Sequence, residues 1–275
     1  IWGVEPLTVE ERYLKSIEAG VDQYGGESEP EYIVDLVNQG VISEARIDES
    51  VRRILKNKFD LGLFESPFVD ETAVEDAVNL PQYVSLGMTA QRNAVVLLDN
   101  SSSALPLAAE TRIFVDGLAP SVAANYGTVV DTPEQADVVL LFLNTVFNGN
   151  QPAGTDSTFD QMMATRFPDT NLAFSDEILA KAASYSAVSQ LVTLVDLNRP
   201  AVLTELKGMS GALVGTFGVS DEAMLDIVFG RHNPVGKLPF ELPSSMAEVE
   251  AQLEDVPDDT ANPLFPYGWG LRYEE

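Results

Sequence analysis

A chain of 275 residues with 45% apolar and 21% charged residues has an ordinary globular composition, which excludes a disordered chain and leaves room for one large domain or two modest ones. Forty-three acids against 16 bases give a net charge of −27, which repels nucleic-acid backbones and anionic membrane surfaces. Cysteine is absent and His232 is the single histidine, excluding disulfides, thiol nucleophiles and His- or Cys-rich metal sites, and the longest apolar run, Val138–Leu143, is far short of the roughly 20 residues of a membrane span.

In chain order, Thr8-Val9-Glu10-Glu11 is a capping-box pattern that predicts a helix over about 8–18. The small apolar stretch Ala19–Gly26, bounded by glycines, predicts a short buried strand. Helices follow at 30–40 and 48–59, the second with Ile47, Val51, Ile54, Leu55 and Phe59 on one face and with Gly62 and Pro67 as its stop. A strand flanked by amphipathic helices is the pattern of one or two units of a (β/α) barrel, although a barrel needs eight. Residues 71–107 read as a connector around one helix, 82–94, with Pro81, Pro106 and Ser101-Ser102-Ser103 about it. Beyond it, strand-length apolar runs at Ile113–Val115, Val138–Leu143, Leu191–Val195 and Ala212–Phe217 alternate with helical stretches near 121–126, 175–187, 201–207 and 221–229. That alternation predicts a mostly parallel α/β sheet covered on both faces. The stretch from Glu241, rich in acids and prolines, reads as an extended tail on the surface.

Several local patterns fail as functional motifs. The stretch from Gly230 to Leu238 has five residues between its glycines and Leu where a phosphate loop needs Ser or Thr. Gly208-Met209-Ser210-Gly211 lacks the spacing of a nucleophile elbow. His232 lies in a Pro- and Gly-rich turn, where a structural hydrogen bond is the simpler expectation. The aromatic group Phe265, Tyr267, Trp269 and Tyr273 has the chemistry of a sugar-stacking platform, yet its alternation suits pinning a tail to a core.

Five segments together resemble glycoside hydrolase family 3, the β-glucosidase family. They are Ala19–Asp22, the stretch from Ile42 to Phe64, Asn93–Leu98, the stretch from Gly230 to Pro239, and Pro263–Leu271, and they stand in the family's order over nearly the whole chain. The resemblance implies an α/β fold: the last units of a (β/α)8 barrel in residues 1–70, the connector 71–107, and a mostly parallel α/β sandwich domain in 108–275. Ala19–Asp22 matches the eighth barrel strand, and Trp2-Gly3-Val4-Glu5 resembles the loop just downstream of the nucleophilic Asp. On this reading the nucleophile lies upstream of residue 1, and the isolated chain is expected to be inactive.

The implied chemistry is that of a retaining exo-acting β-glycosidase on β-linked glucosides or related glycosides. Such an enzyme needs two carboxyl groups about 5–5.5 Å apart, one a nucleophile and one a proton donor of raised pKa. In multi-domain relatives the proton donor comes from a loop of the sandwich domain, here the stretch from about 144 to 175. That stretch carries Asn144, Asn148, Asn150 and Gln151 where a carboxylate is usual; its remaining acids are Asp156, Asp160 and Asp169, of which Asp156 and Asp160, placed mid-loop, are the acid/base candidates. Trp2, Asn148, Gln151 and Phe159 are candidate substrate contacts. No cofactor and no metal are implied. The expected partners are a carbohydrate substrate and either the missing barrel segment or a second copy of the chain, with no nucleic acid and no membrane insertion. The residues leave the compartment open, and a periplasmic or extracellular location is favoured over a cytoplasmic one. Competing readings are a non-catalytic carbohydrate-binding or assembly module on the same fold and an unrelated flavodoxin-like α/β protein.

Overall fold

The computed structural model describes residues 4–26, 28–145, 171–253 and 256–273. The chain divides into two compact units, residues 1–78 and 79–275.

The first unit is helical. Helix α1 spans Val9–Glu18 and starts on the expected capping box: the Thr8 hydroxyl accepts from the Glu11 amide at 3.2 Å, and the Glu11 carboxylate accepts from the Thr8 amide at 2.8 Å. Helix α2 is Glu31–Asn38. Helix α3, Glu44–Asp60, begins four residues earlier than the periodicity indicated, because Ser43 caps it by accepting from the Arg46 amide. It ends at Gly62, whose φ of +67° lets the Gly62 and Leu63 amides turn back onto the carbonyls of Phe59 and Lys58. A single turn, α4 (Val74–Ala77), completes the unit. Tyr13, Ile17, Leu36 and Ile42 form its core, with the Tyr13 ring edge-on to Tyr24 at 4.9 Å and stacked on Tyr32 at 5.7 Å.

The strand expected at 19–26 does not form. Residues 21–24 are irregular, and Val21 is exposed. Strand N–H and C=O groups need a paired neighbour, and no strand is present among the described residues of this unit. One side-chain donor takes over part of that role: the Arg46 guanidinium donates to the carbonyl of Val21 at 3.4 Å, and also to that of Ile17 in the last turn of α1 at 2.8 Å. On α3, Val51, Leu55 and Phe59 of the sequence-identified apolar face are exposed.

The second unit is a mixed, mainly parallel α/β sheet with helices. After α5 (Pro81–Ala94) come β1 (Val96–Asp99), β2 (Arg112–Asp116), α6 (Pro120–Ala123), β3 (Thr128–Val129), β4 (Val138–Asn144), α7 (Asp176–Val188), β5 (Gln190–Asp196), α8 (Thr204–Met209), β6 (Ala212–Thr216) and α9 (Asp221–Val228). The six strands lie in the order β1-β6-β5-β4-β2-β3, with β1 antiparallel to β6 and the other pairs parallel. Side-chain alternation sends Val138, Leu140, Val192, Leu194, Ala212 and Val214 into one core. Val139, Leu141, Leu191, Val195 and Leu213 enter the core on the opposite face. Double-sided burial explains why these strands read as unbroken apolar runs.

Strand β1 lies inside the stretch read as a connector, and three apolar residues and an aspartate beside a helix carried no period by which to recognise it. The tail expectation is overturned more clearly. The stretch from Glu241 holds the ribbon β7 (Leu242–Pro243) and β8 (Pro263–Phe265) and the helix α10 (Met246–Ala251). Leu242 and Phe265 are buried, and Leu271 pairs with Leu97, covering the free edge of β1. Acids dominated the composition of this stretch, but a few large apolar groups decide where it packs.

Candidate functional site at the carboxyl edge of the sheet

Five parallel strands place their carboxyl ends on one edge, the place where open α/β sheets receive ligands. Asp116 ends β2, Asn144 ends β4, Asp196 ends β5 and Thr216 ends β6. Asn144, Asp196 and Thr216 stand side by side in register on one face. The Asp196 carboxylate accepts from the Gly218 amide at 2.8 Å and faces the Thr216 hydroxyl at 3.5 Å, while its main-chain carbonyl accepts from the Thr145 hydroxyl.

The crossover from β2 to β3 runs one way and that from β3 to β4 the other, so the reversal of strand order falls between β2 and β4. Gly117 occupies it with φ +88°, and a Cβ there would lie 2.4 Å from the Phe142 carbonyl oxygen. Asp116 turns toward α7, accepting from the Tyr185 hydroxyl at 2.9 Å and pairing with Lys181 at 3.2 Å. Burial, and then the bond to Asp116, push the Tyr185 phenol up to about 12, so it remains a neutral donor. Two further bonds link the edge connections: Ala119 N–H to Asp221 at 2.7 Å, and Ser220 N–H to Gln91 at 2.8 Å.

The chain leaves β4 through buried Thr145 and re-enters the described structure at Asn171. There Leu172 accepts from the Val202 amide at 2.9 Å and Ala173 pairs with Val202 in the connection between β5 and α8. The acid/base candidates Asp156 and Asp160 and the proposed contacts Trp2, Asn148, Gln151 and Phe159 all lie outside the described residues. Asp116 and Asp196 carried a weak signal of their own, a carboxylate ending an apolar strand run.

The other sequence candidates resolve into structure. Nε2 of His232 lies 2.9 Å from the Asn93 amide oxygen. Trp269 donates its indole N–H to the Leu98 carbonyl at 2.8 Å and Tyr273 its hydroxyl to that of Ile227 at 2.8 Å, so these aromatics pin the chain end, while Tyr267 stays exposed. Gly236, in the loop that resembles a phosphate motif, is required by packing: a Cβ would sit 2.3 Å from the Val95 carbonyl oxygen.

Asp22, last residue of the segment matched to a barrel strand, is held by α3. It accepts from Ser50 at 2.7 Å and from Arg53 at 2.8 Å, with Arg46 at 3.9 Å. The Ser50 hydrogen bond above all, with the two guanidinium groups, holds its carboxyl below the usual carboxylate range. A depressed folded pKa contributes stability that is present above the unfolded value of about 3.9 and is lost as pH falls through the folded one. Ser50→Ala is therefore expected to move the acid-unfolding midpoint of the first unit to higher pH, followed by circular dichroism from pH 6 to 2. An unchanged midpoint would refute this linkage.

Residues 116–273 match the glycosyl hydrolase family 3 C-terminal domain. The chain is 45% identical over 277 aligned residues to a protein named probable beta-glucosidase C from Aspergillus oryzae, covering 99% of this chain and 42% of that protein. It is 41% identical to the periplasmic beta-glucosidase/beta-xylosidase of Dickeya chrysanthemi, covering 98% and 40%. The crystal structure of beta-glucosidase from Listeria innocua in complex with glucose superposes with a TM-score of 0.70 at 23% identity, over 97% of this chain and 44% of that one. The chain thus spans about two-fifths of the length of the relatives it matches. It belongs to glycosyl hydrolase family 3 and carries the family's C-terminal domain.

Proposed function

We propose that this chain is the C-terminal part of a retaining exo-acting β-glycosidase that hydrolyses β-linked glucosides or related glycosides. The observation that carries the reading is the 45% identity, across 99% of the chain, to a protein named a beta-glucosidase. In this reading residues 1–70 are the closing units of a (β/α) barrel and 108–275 the sandwich domain, to which the stretch 71–107 also contributes α5 and β1. The partner is the barrel segment upstream of residue 1 that holds the nucleophilic Asp, or a second copy of the chain that covers the faces that segment would cover. The relative named as periplasmic supports a periplasmic or extracellular location, and no helix among the described residues is long and apolar enough to cross a membrane.

The stretch that follows β4 supplies the acid and most of the substrate contacts in this reading, and Trp2 of the first unit a further one. Asp156 or Asp160 protonates the leaving oxygen while the upstream Asp attacks the anomeric carbon. The same residue then takes a proton from the water that releases the sugar. Asn148, Gln151, Phe159 and Trp2 bind sugar hydroxyls and ring faces.

The test uses the full-length gene product with Asp156→Asn and Asp160→Asn made separately. Loss of the acid is expected to lower kcat/KM on alkyl or disaccharide β-glucosides by roughly 10²–10⁴-fold and to spare kcat/KM on dinitrophenyl glucosides, whose leaving group needs no proton, while kcat on the latter falls because release of the sugar loses its base. Parental kinetics in both variants on both substrate types would remove Asp156 and Asp160 from the mechanism.

A further inference from the structure

We infer that Asp196 is a positioning residue that sets the geometry of the carboxyl edge toward the substrate. The inference rests on the glycosidase reading above. Strand β5 runs between β6 and β4, so Asp196 stands in the middle of the in-register row Asn144, Asp196, Thr216. It uses acceptors on both main chain and side chain, and each reaches a different connection. Its carbonyl holds the hydroxyl of Thr145, the first residue beyond β4. Its carboxylate holds the amide of Gly218, two residues beyond β6, as well as facing the hydroxyl of Thr216.

Gly218 has φ +66°, and a Cβ on it would meet nothing within 4 Å, so the glycine answers to backbone conformation and not to crowding. That left-handed turn aims its N–H at Asp196. The same connection continues through Ser220, bound to Gln91 of α5, and Asp221, bound to the Ala119 amide beyond β2. Asp196 is thus the first link of a hydrogen-bonded chain along the edge from β4 and β6 to β2. The strands beneath it are held by buried apolar side chains on both faces, so the fold does not depend on this carboxylate.

Thr145 and Thr216 are 4% and 1% exposed, which fixes the two hydroxyls that address Asp196. Displacing a reactive arrangement by about 1 Å can cost up to 10²-fold in rate. An edge that presents catalytic groups is sensitive at that level, whereas an edge with a purely structural role is not.

The experiment compares the full-length parent with Asp196→Asn, Asp196→Ala and Thr145→Val on aryl β-glucosides, recording kcat, KM and thermal midpoint. Asp196→Asn keeps an oxygen acceptor for Gly218 and is expected within about threefold of the parent in kcat/KM. Asp196→Ala is expected to lower kcat/KM by roughly 10–100-fold, with a fall in kcat and an unchanged thermal midpoint. Thr145→Val leaves the carboxylate intact and removes the other link, and it is expected to shift kcat/KM in the same direction. An active parent with Asp196→Ala and Thr145→Val both at parental kcat/KM would overturn the inference alone. So would a loss in Asp196→Ala matched by a loss of folded protein, with Thr145→Val unaffected. A parent that hydrolyses no β-glycoside overturns the reading and the inference together.

Discussion

The chain of residues 1–275 alone is expected to leave aryl β-glucosides unhydrolysed, at least roughly 10⁴-fold below the full-length gene product in kcat, because enzymes stripped of a covalent nucleophile keep only residual rates. A retaining glycosidase forms its intermediate on one carboxylate, and a proton donor by itself cannot bring about the displacement. In the proposed reading that carboxylate belongs to the barrel upstream of Trp2. Purified chain and full-length protein are compared on nitrophenyl glucoside and xyloside, followed by mass mapping after a fluoroglucoside inactivator. Turnover by the chain, with a label on one of its own acids, would move the nucleophile into residues 1–275 and refute the division of labour.

The second large effect is on stability. Helix α9 buries nearly all of its residues, and among them lies one carboxylate, Asp226, 4% exposed. Arg92, near the end of α5, approaches it with Nε and a terminal nitrogen both at 2.6 Å, and Tyr126 donates its hydroxyl at 2.7 Å. Burial, and then the bond to Asp226, raise the Tyr126 phenol well above its usual range. The Arg231 guanidinium caps the Tyr126 ring at 3.9 Å from its centroid. Arg92→Ala leaves a buried carboxylate with one neutral donor, and breaking a buried pair in this way typically costs about 3–5 kcal/mol. Asp226→Asn strands an arginine whose side chain is 28% exposed and can reach water, so its cost is expected to be smaller, at about 2–3 kcal/mol. Urea midpoints of the two single variants and of Arg92→Met with Asp226→Leu measure the coupling. Costs under about 1 kcal/mol in both single variants would show that the pair is not a structural tie.

Local chemistry legible in the residues accounts for much of this protein. The Thr8 capping box, the helices α5, α7 and α9, and the four long strands β2, β4, β5 and β6 follow from patterns a few residues wide, and the structure places them within a few positions of the expected bounds. The same local patterns carried the family resemblance, because loops such as the one at Gly236 need particular residues to let backbones meet. What tertiary structure alone decided is pairing between distant segments. Ala19–Gly26 has the composition of a strand but no strand beside it among the described residues, and of its carbonyls that of Val21 turns to Arg46 instead. Val96–Asp99 has no period to mark it, yet β6 on one side and Leu271 on the other make it a strand. Arg92 meets Asp226 across 134 residues of sequence, and Asp196 meets Thr145 across 51. Period and capping act over one or two turns of chain, whereas an acceptor's distant partner, whether carboxylate or main-chain carbonyl, is set by whichever donors the folded sheet brings within hydrogen-bond reach.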